Sequence, residues 1–271
     1  MKNNSRPIGI FDSGVGGLTV VKEVMKKLPD ERIVYLGDTA RVPYGTKSAE
    51  SVKGFSVENV GFLMQHGVKL IVVACNTASS VSLSILRKRF RVPIVGVIKP
   101  GAKKAVEATK NNKIGIIATK ATIKSRSYEK EIKKLSSKAK VISQACPLFV
   151  PLAEEGWLDS NITYDVAEEY LKGIIKSRID TLILGCTHYP LLKDVISQVM
   201  GKEVRVIDSA SSVAEEVANT LKKGNMERQK DKRGRHLFFV TDSVEQFVKV
   251  GERFLGRKIL NAKKADVCMK Y

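Results

Sequence analysis

A cysteine that closes an apolar run and precedes a polar pair occurs twice in this chain. It stands in Val72-Val73-Ala74-Cys75-Asn76-Thr77 and, roughly 110 residues later, in Ile183-Leu184-Gly185-Cys186-Thr187-His188. Both cysteines fall where a strand should give way to a helix, the place where α/β folds bind ligands. A thiol there is a candidate acid, base or nucleophile, because a helix N-terminus stabilises the thiolate and lowers the usual pKa of about 8.5. Asn76-Thr77 and Thr187-His188 are side chains of the kind that cap helices. One such cysteine is most simply a small buried hydrophobe. Two at equivalent points of a duplicated fold are much stronger evidence of a functional role. Cys186 with His188 has the composition of a cysteine hydrolase, but that reading leaves Cys75 without a task. No metal is expected: no cysteine pair has C-x₂₋₄-C spacing, and Cys186 and His188 do not readily face one ion. Cys146 and Cys268 lack the strand-Cys-polar setting and are read as packing or chance exposure.

A second candidate follows the first apolar run, in Asp12-Ser13-Gly14-Val15-Gly16-Gly17. Its glycines put flexible backbone and N–H groups at an anion-binding position. It is neither G-x-G-x-x-G nor a P-loop, so it is no nucleotide signature. Asp12 would repel a phosphate, whereas it suits a substrate ammonium or the polarising of a neighbouring catalytic group.

The elements that must position these residues are short β-branched runs alternating with longer amphipathic segments. Strands are expected at 7–11, 32–36, 69–74, 93–97, 113–118, 140–145, 180–184, 203–207 and 236–241. Leu18, Val21, Val24, Met25 and Leu28 recur at helical spacing before Pro29-Asp30, and helices are expected near 48–66 and 76–90. This alternation specifies an α/β fold with mainly parallel sheets. Ile8-Gly9-Ile10-Phe11-Asp12-Ser13 is echoed by Ile114-Gly115-Ile116-Ile117-Ala118-Thr119. Together with the cysteine echo, it predicts two similar three-layer α/β/α halves, pseudo-twofold related and facing each other. The chain should pass between halves near 98–102, where Lys99-Pro100-Gly101 breaks the pattern, and again near 208–212. The domains are then 1–98 with 210–271, and 99–209. Lys222–Arg235, charged and containing two glycines, is expected to be an exposed loop.

Composition bounds the function. The 271 residues are 43% hydrophobic, enough for a real core, and 47 Lys+Arg against 28 Asp+Glu give a formal charge of +19. The charge favours anionic partners without choosing among them, and its scattered Lys pairs read as a solvated surface. Four cysteines without scaffold spacing fit a reducing compartment. The first residues contain no signal-peptide core, and no apolar run approaches the roughly 18 residues of a membrane span. A soluble cytoplasmic protein with no membrane partner is expected.

Four segments also carry a family resemblance: Gly9-Ile10-Phe11-Asp12-Ser13-Gly14-Val15-Gly16-Gly17, Gly37-Asp38-Thr39-Ala40-Arg41-Val42-Pro43-Tyr44-Gly45, Ala74-Cys75-Asn76-Thr77-Ala78 and Gly185-Cys186-Thr187-His188-Tyr189-Pro190. Over residues 7–215 the chain closely resembles the glutamate racemases of the cofactor-independent aspartate/glutamate racemase superfamily. The resemblance implies two α/β domains with the site between them and interconversion of L- and D-glutamate without a cofactor. It implies that Cys75 acts on D-glutamate and Cys186 on L-glutamate, that Asp12 and His188 assist these thiols, and that Glu154 is a further helper. Substrate holding falls, by the same carry-over, to Asp12, Ser13, Tyr44, Gly45, Asn76, Thr77, Thr119, Thr122, Thr187 and His188. Hydroxyl, amide and backbone donors suit the two carboxylates of a small amino acid. The implied role is supply of D-glutamate for peptidoglycan, with glutamate as partner and a homodimer as one expected state. Aspartate racemase and a one-thiol decarboxylase of the same superfamily are the alternative enzymes. A basic nucleic-acid-binding module, supported by charge alone, is the non-enzymatic one.

Overall fold

The computed structural model describes residues 3–228 and 236–267. Its strands are β1 (Ile8–Asp12), β2 (Ile33–Gly37), β3 (Leu70–Val73), β4 (Ile94–Gly96), β5 (Lys113–Ala118), β6 (Lys140–Ala145), β7 (Thr181–Gly185), β8 (Arg205–Asp208), β9 (Leu237–Val240) and β10 (Ala262–Lys264). The nine expected strands are present. β10 is an addition, because Ala262-Lys263-Lys264 has no apolar run and owes its conformation to pairing with β9. The helices are α1 (Leu18–Lys27), α2 (Ala49–Gln65), α3 (Asn76–Arg89), α4 (Ile98–Ala108), α5 (Lys120–Ser125), α6 (Ser127–Leu135), α7 (Phe149–Glu155), α8 (Asn161–Lys176), α9 (Lys193–Met200), α10 (Ser209–Lys223) and α11 (Val244–Leu255).

Two sheets result, ordered β10-β9-β2-β1-β3-β4 and β6-β5-β7-β8, with every strand pairing parallel. The cores β2-β1-β3-β4 and β6-β5-β7-β8 have the same order, so the two sequence echoes correspond to topologically equivalent strands, β1 with β5 and β3 with β7. β1, β2, β3 and β7 are buried at every residue, as parallel strands covered on both faces must be. Alternation divides the first sheet. Ile8, Ile10, Tyr35 and Val72 join the core with α1, α10 and α11, while Phe11, Leu36, Ile71 and Val73 pack toward α2 and α3.

Both crossings between sheets are helical, where the sequence suggests breaks. Pro100 lies in the first turn of α4, where a missing N–H leaves no intrahelical bond unmade. The return is α10, capped by Asp208, whose Oδ1 accepts from Ser211 N at 3.4 Å. These two helices pack on each other and α10 packs on α1. The expected loop Lys222–Arg235 is also revised: Lys222 and Lys223 belong to α10, and residues 229–235 lie outside the described residues.

One lysine departs from the solvated surface. Lys69, fully buried before β3, donates to Glu31 Oε1 (2.8 Å) and to the carbonyls of Met226 (2.7 Å) and Asn4 (3.0 Å). Arg228 N donates to Glu31 Oε1 at 2.9 Å. This pair fixes the segment after α10 to the strand N-termini, the end of the sheet away from the cysteines. Removing one member strands a buried charge, so Glu31→Leu is expected to cost about 3–5 kcal/mol in urea unfolding. Glu31→Leu with Lys69→Met should cost clearly less than the single change.

Candidate active site between the sheets

The carboxyl ends of the two sheets face each other, and the cysteines lie on the seam. Cys75 follows β3 and is itself the N-cap of α3, its sulfur accepting from Ala78 N at 3.5 Å. Asn76 and Thr77 therefore do not cap. Asn76 Oδ1 accepts from Tyr128 OH (2.8 Å), while Asn76 Nδ2 is buried without a hydrogen-bond partner. Thr77 crosses to the second sheet, its hydroxyl 3.0 Å from that of Thr119 and 3.2 Å from that of Thr122. Cys186 follows β7, but the next element is a 3₁₀ turn, Tyr189–Leu192, rather than an α-helix, and His188 makes no side-chain cap. His188 instead turns back: its Nδ1 lies 3.8 Å from Cys186 Sγ and its Nε2 2.8 Å from Glu154 Oε1 on α7. The two side chains, two residues apart, thus lie against each other. Among the described residues no three His, Cys, Asp or Glu side chains form a metal-binding group.

The glycine run after β1 lets the two sheets pack closely. A Cβ on Gly16 would stand 2.4 Å from Thr187 Oγ1 and 2.5 Å from His188 Nδ1, and one on Gly17 2.4 Å from Asp12 Cβ. The available N–H of Gly14 is directed to Asp12 Oδ2 at 3.1 Å. Thr187 Oγ1 donates to Asp12 Oδ1 at 3.4 Å, and Thr19 Oγ1 reaches Thr187 O at 3.3 Å. Asp12 is thus a fully buried support behind the site wall.

Between the sheets is a cavity of about 380 Å³, lined by Ser13, Tyr44, Gly45, Cys75, Asn76, Thr77, Thr119, Glu154, Cys186, Thr187 and His188 among the expected residues. Its size is at the small end of the range of about 300–1,000 Å³ for ligand pockets. Asp12 and Thr122 are not on its wall; burial places both behind it. Tyr44 lines it, but its hydroxyl donates to Asp38 and accepts from Asn59 Nδ2 at 3.1 Å, leaving its ring and backbone to face the cavity. Asp38, also bound by Arg41 (2.8 Å) and Thr241 (3.1 Å), organises the whole Tyr44 segment and was not singled out from sequence. Lys120, the first residue of α5, also went unrecognised; among the described residues it is the one Lys or Arg on this wall. Its position between Thr119 and Thr122 is the signal that could have found it. Cys146 is buried packing, and Cys268 lies outside the described residues.

Burial and the seam set the charges. Burial, reinforced by the Asp12 carboxyl, pushes the Cys75 thiol up to about 12, against bonds from Ala78 and Ser13. Desolvation thus overrides the helix N-terminus that was expected to lower it. Burial also raises Asp12, opposed by the nearby His188 charge and by backbone bonds from Gly14 and Gly17. For His188 burial acts downward, but its bonds to Cys186 and Glu154 outweigh it and carry the imidazole from 6.5 up to about 10. The site at neutral pH therefore has a protonated Cys75 and an imidazolium against Cys186.

This fold and thiol pair define a class, and comparison with known proteins agrees. Residues 18–217 match the family described as Asp/Glu/hydantoin racemase. The chain belongs to that family and is an isomerase, an amino-acid racemase. Within the family its similarity is to glutamate racemases. That of Geobacter metallireducens is 51% identical over 254 residues, 94% of each chain. The crystal structure of the Bacillus anthracis glutamate racemase isoform RacE1 superposes with a TM-score of 0.94 at 42% identity, covering 97% of this chain and 98% of that one. The Francisella tularensis glutamate racemase, solved in complex with D-glutamate, gives 0.92 at 37% identity over the same shares. The likeness thus continues beyond residue 215, where the resemblance read from the sequence ends. No helix among the described residues is long and apolar enough to cross a membrane.

Two outcomes test this geometry. Gly16→Ala should suppress turnover strongly by displacing Thr187 and His188, whereas Gly14→Ala, whose Cβ meets only Val42 at 3.2 Å, should be mild. His188, raised in the folded state, contributes stability in full below about pH 6.5 that is lost as pH rises through about 10. NMR titration should place its midpoint near that upper value in the native protein and clearly lower in Glu154→Gln.

Proposed function

We propose that the protein interconverts L- and D-glutamate by a two-base mechanism in which Cys75 and Cys186 exchange roles. The observation that carries the reading is the placement of two thiols from equivalent strand ends on one small cavity. Racemisation needs a proton to leave Cα on one face and another to arrive on the opposite face. With L-glutamate, Cys186 as thiolate accepts the Cα proton, and the electron pair left on carbon takes a proton from the Cys75 thiol. D-glutamate reverses the assignment. The state of Cys75 supports the donor role: raised to about 12, it holds its proton at neutral pH. The His188 imidazolium offers positive charge and an N–H to Cys186, and Glu154 holds that imidazolium. Asp12 acts from behind the wall through Thr187 and through its charge on Cys75, rather than by binding substrate itself.

Ser13, Asn76, Thr77, Thr119 and Thr187 are the proposed donors to the substrate carboxylates, with the partnerless Asn76 Nδ2 the clearest case. Thr122 acts through Thr77 and Thr119, and the backbone of Tyr44 and Gly45 completes the wall. The same reading treats 1–98 with 210–271 and 99–209 as two domains, which the division of strands between sheets supports, and has them close on substrate. It places the enzyme in the cytoplasm, as a homodimer, supplying D-glutamate for peptidoglycan.

The test is circular dichroism of the purified protein with L-glutamate and, separately, D-glutamate, without added cofactor. Both signals should converge to zero, and Cys75→Ser and Cys186→Ser should each lower turnover by about 10²–10⁴-fold with the fold retained. Retention of activity by either variant would instead indicate one-thiol chemistry. Activity on aspartate alone would redirect the substrate assignment. Lys120→Met should raise KM for glutamate several-fold while leaving kcat near its native value.

A further inference from the structure

Arg253, on α11, reaches over the seam to the end of α7. Its Nη1 donates to the carbonyl of Glu154 at 2.9 Å and approaches that of Ala153 at 3.4 Å. Its guanidinium lies over Gly156, the left-handed residue that ends α7 (φ +82°). A Cβ there would stand 2.7 Å from Arg253 Cζ. The last carbonyls of a helix lack intrahelical donors, and a cation at that end both satisfies them and meets the helix dipole. The next residue, Phe254, is buried with its ring edge-on to the imidazole of His188, centroids 5.3 Å apart. One helix therefore touches both sides of the Glu154–His188 bond: Arg253 holds the backbone that carries Glu154, and Phe254 packs on the imidazole. Burial cannot fix the carboxylate, whose side chain is 39% exposed. Its position must come from the backbone beneath it.

We propose that Arg253 is a positioning residue for the reaction: by capping α7 it keeps Glu154 within hydrogen-bond distance of His188, and so keeps the imidazole against Cys186. The inference rests on the two-thiol racemase reading. It assigns to the C-terminal part of the chain a task at the opposite wall of the site, 99 residues from the carbonyl it grips.

A double-mutant cycle on the full chain tests it, with Arg253→Met, Glu154→Gln and the pair assayed for glutamate racemisation alongside thermal melts. Arg253→Met should lower kcat by roughly 10–100-fold, the scale of a misplaced catalytic group, with little change in melting. In the Glu154→Gln background the same change should have almost no further effect. Arg253→Lys should recover part of the loss, and the NMR midpoint of His188, assigned by its absence in His188→Asn, should fall in Arg253→Met. Native activity in Arg253→Met, or an equal fold-loss in both backgrounds, overturns the proposal. If Arg253→Met does not fold, Arg253→Gln and Arg253→Lys carry the same comparison. If the native protein racemises neither glutamate nor aspartate, the function reading fails, and the His188 midpoint still decides the positioning role by itself.

Discussion

At Gly16 the two halves of the molecule approach until a methyl group would overlap both Thr187 Oγ1 and His188 Nδ1. Most of what is unusual about the site follows from that contact. It brings the end of β1 against the end of β7, so that Asp12, Cys75, Cys186 and His188 share one buried region, each at most 6% exposed. Charges so buried are screened less than at the surface, and their protonation is set largely by desolvation and the nearest partners. The same closeness would be unattainable with any side chain at Gly16. Its constraint is steric rather than conformational, since Gly16 has no left-handed backbone.

The two thiols are equivalent in topology but not in surroundings. Cys75 has the carboxyl of Asp12 behind it and keeps its proton; Cys186 has an imidazolium 3.8 Å away, itself tied to Glu154. A duplicated fold supplies the symmetric placement that chemistry on two faces of one carbon requires. The asymmetry comes from side chains that the duplication does not repeat. Asp12 precedes the glycine run of the first sheet, while Ala118 occupies the corresponding strand position in the second. His188 likewise has its counterpart in Thr77, which spends its hydroxyl on Thr119 and Thr122.

The strands were legible because their apolar runs are buried on both faces, and β10 was not because its residues carry no pattern of their own. The cysteines were legible because a strand-end cysteine repeats. Their protonation was not: the helix N-terminus at Cys75 is a local feature readable from spacing, whereas the desolvation that outweighs it depends on the whole seam. Pro100 misled for a related reason, since a proline in a first helical turn and one in a linker look alike until the following turns are known to pack. Arg253 acts through a carbonyl 99 residues away and has no local signature, whereas Asp38, bound by Arg41 and Tyr44, and Lys120, beside Thr119, gain their roles only from the shape the cavity wall takes.

The C-terminal segment shows why the chain returns to its first sheet. β9 and β10 extend that sheet beyond β2, and α11 covers the face already lined by α1. Added to an edge, two short strands contribute modest pairing by themselves. Their larger effect is to aim α11 at the seam, where Phe254 and Arg253 meet elements of the second sheet. The four-stranded cores could hold the two cysteines without this extension, but Glu154, half-exposed on a seven-residue helix, would then have no grip on its backbone from the first sheet's side. The unduplicated part of the fold thus acts on the unduplicated part of the chemistry, the imidazole that distinguishes Cys186 from Cys75.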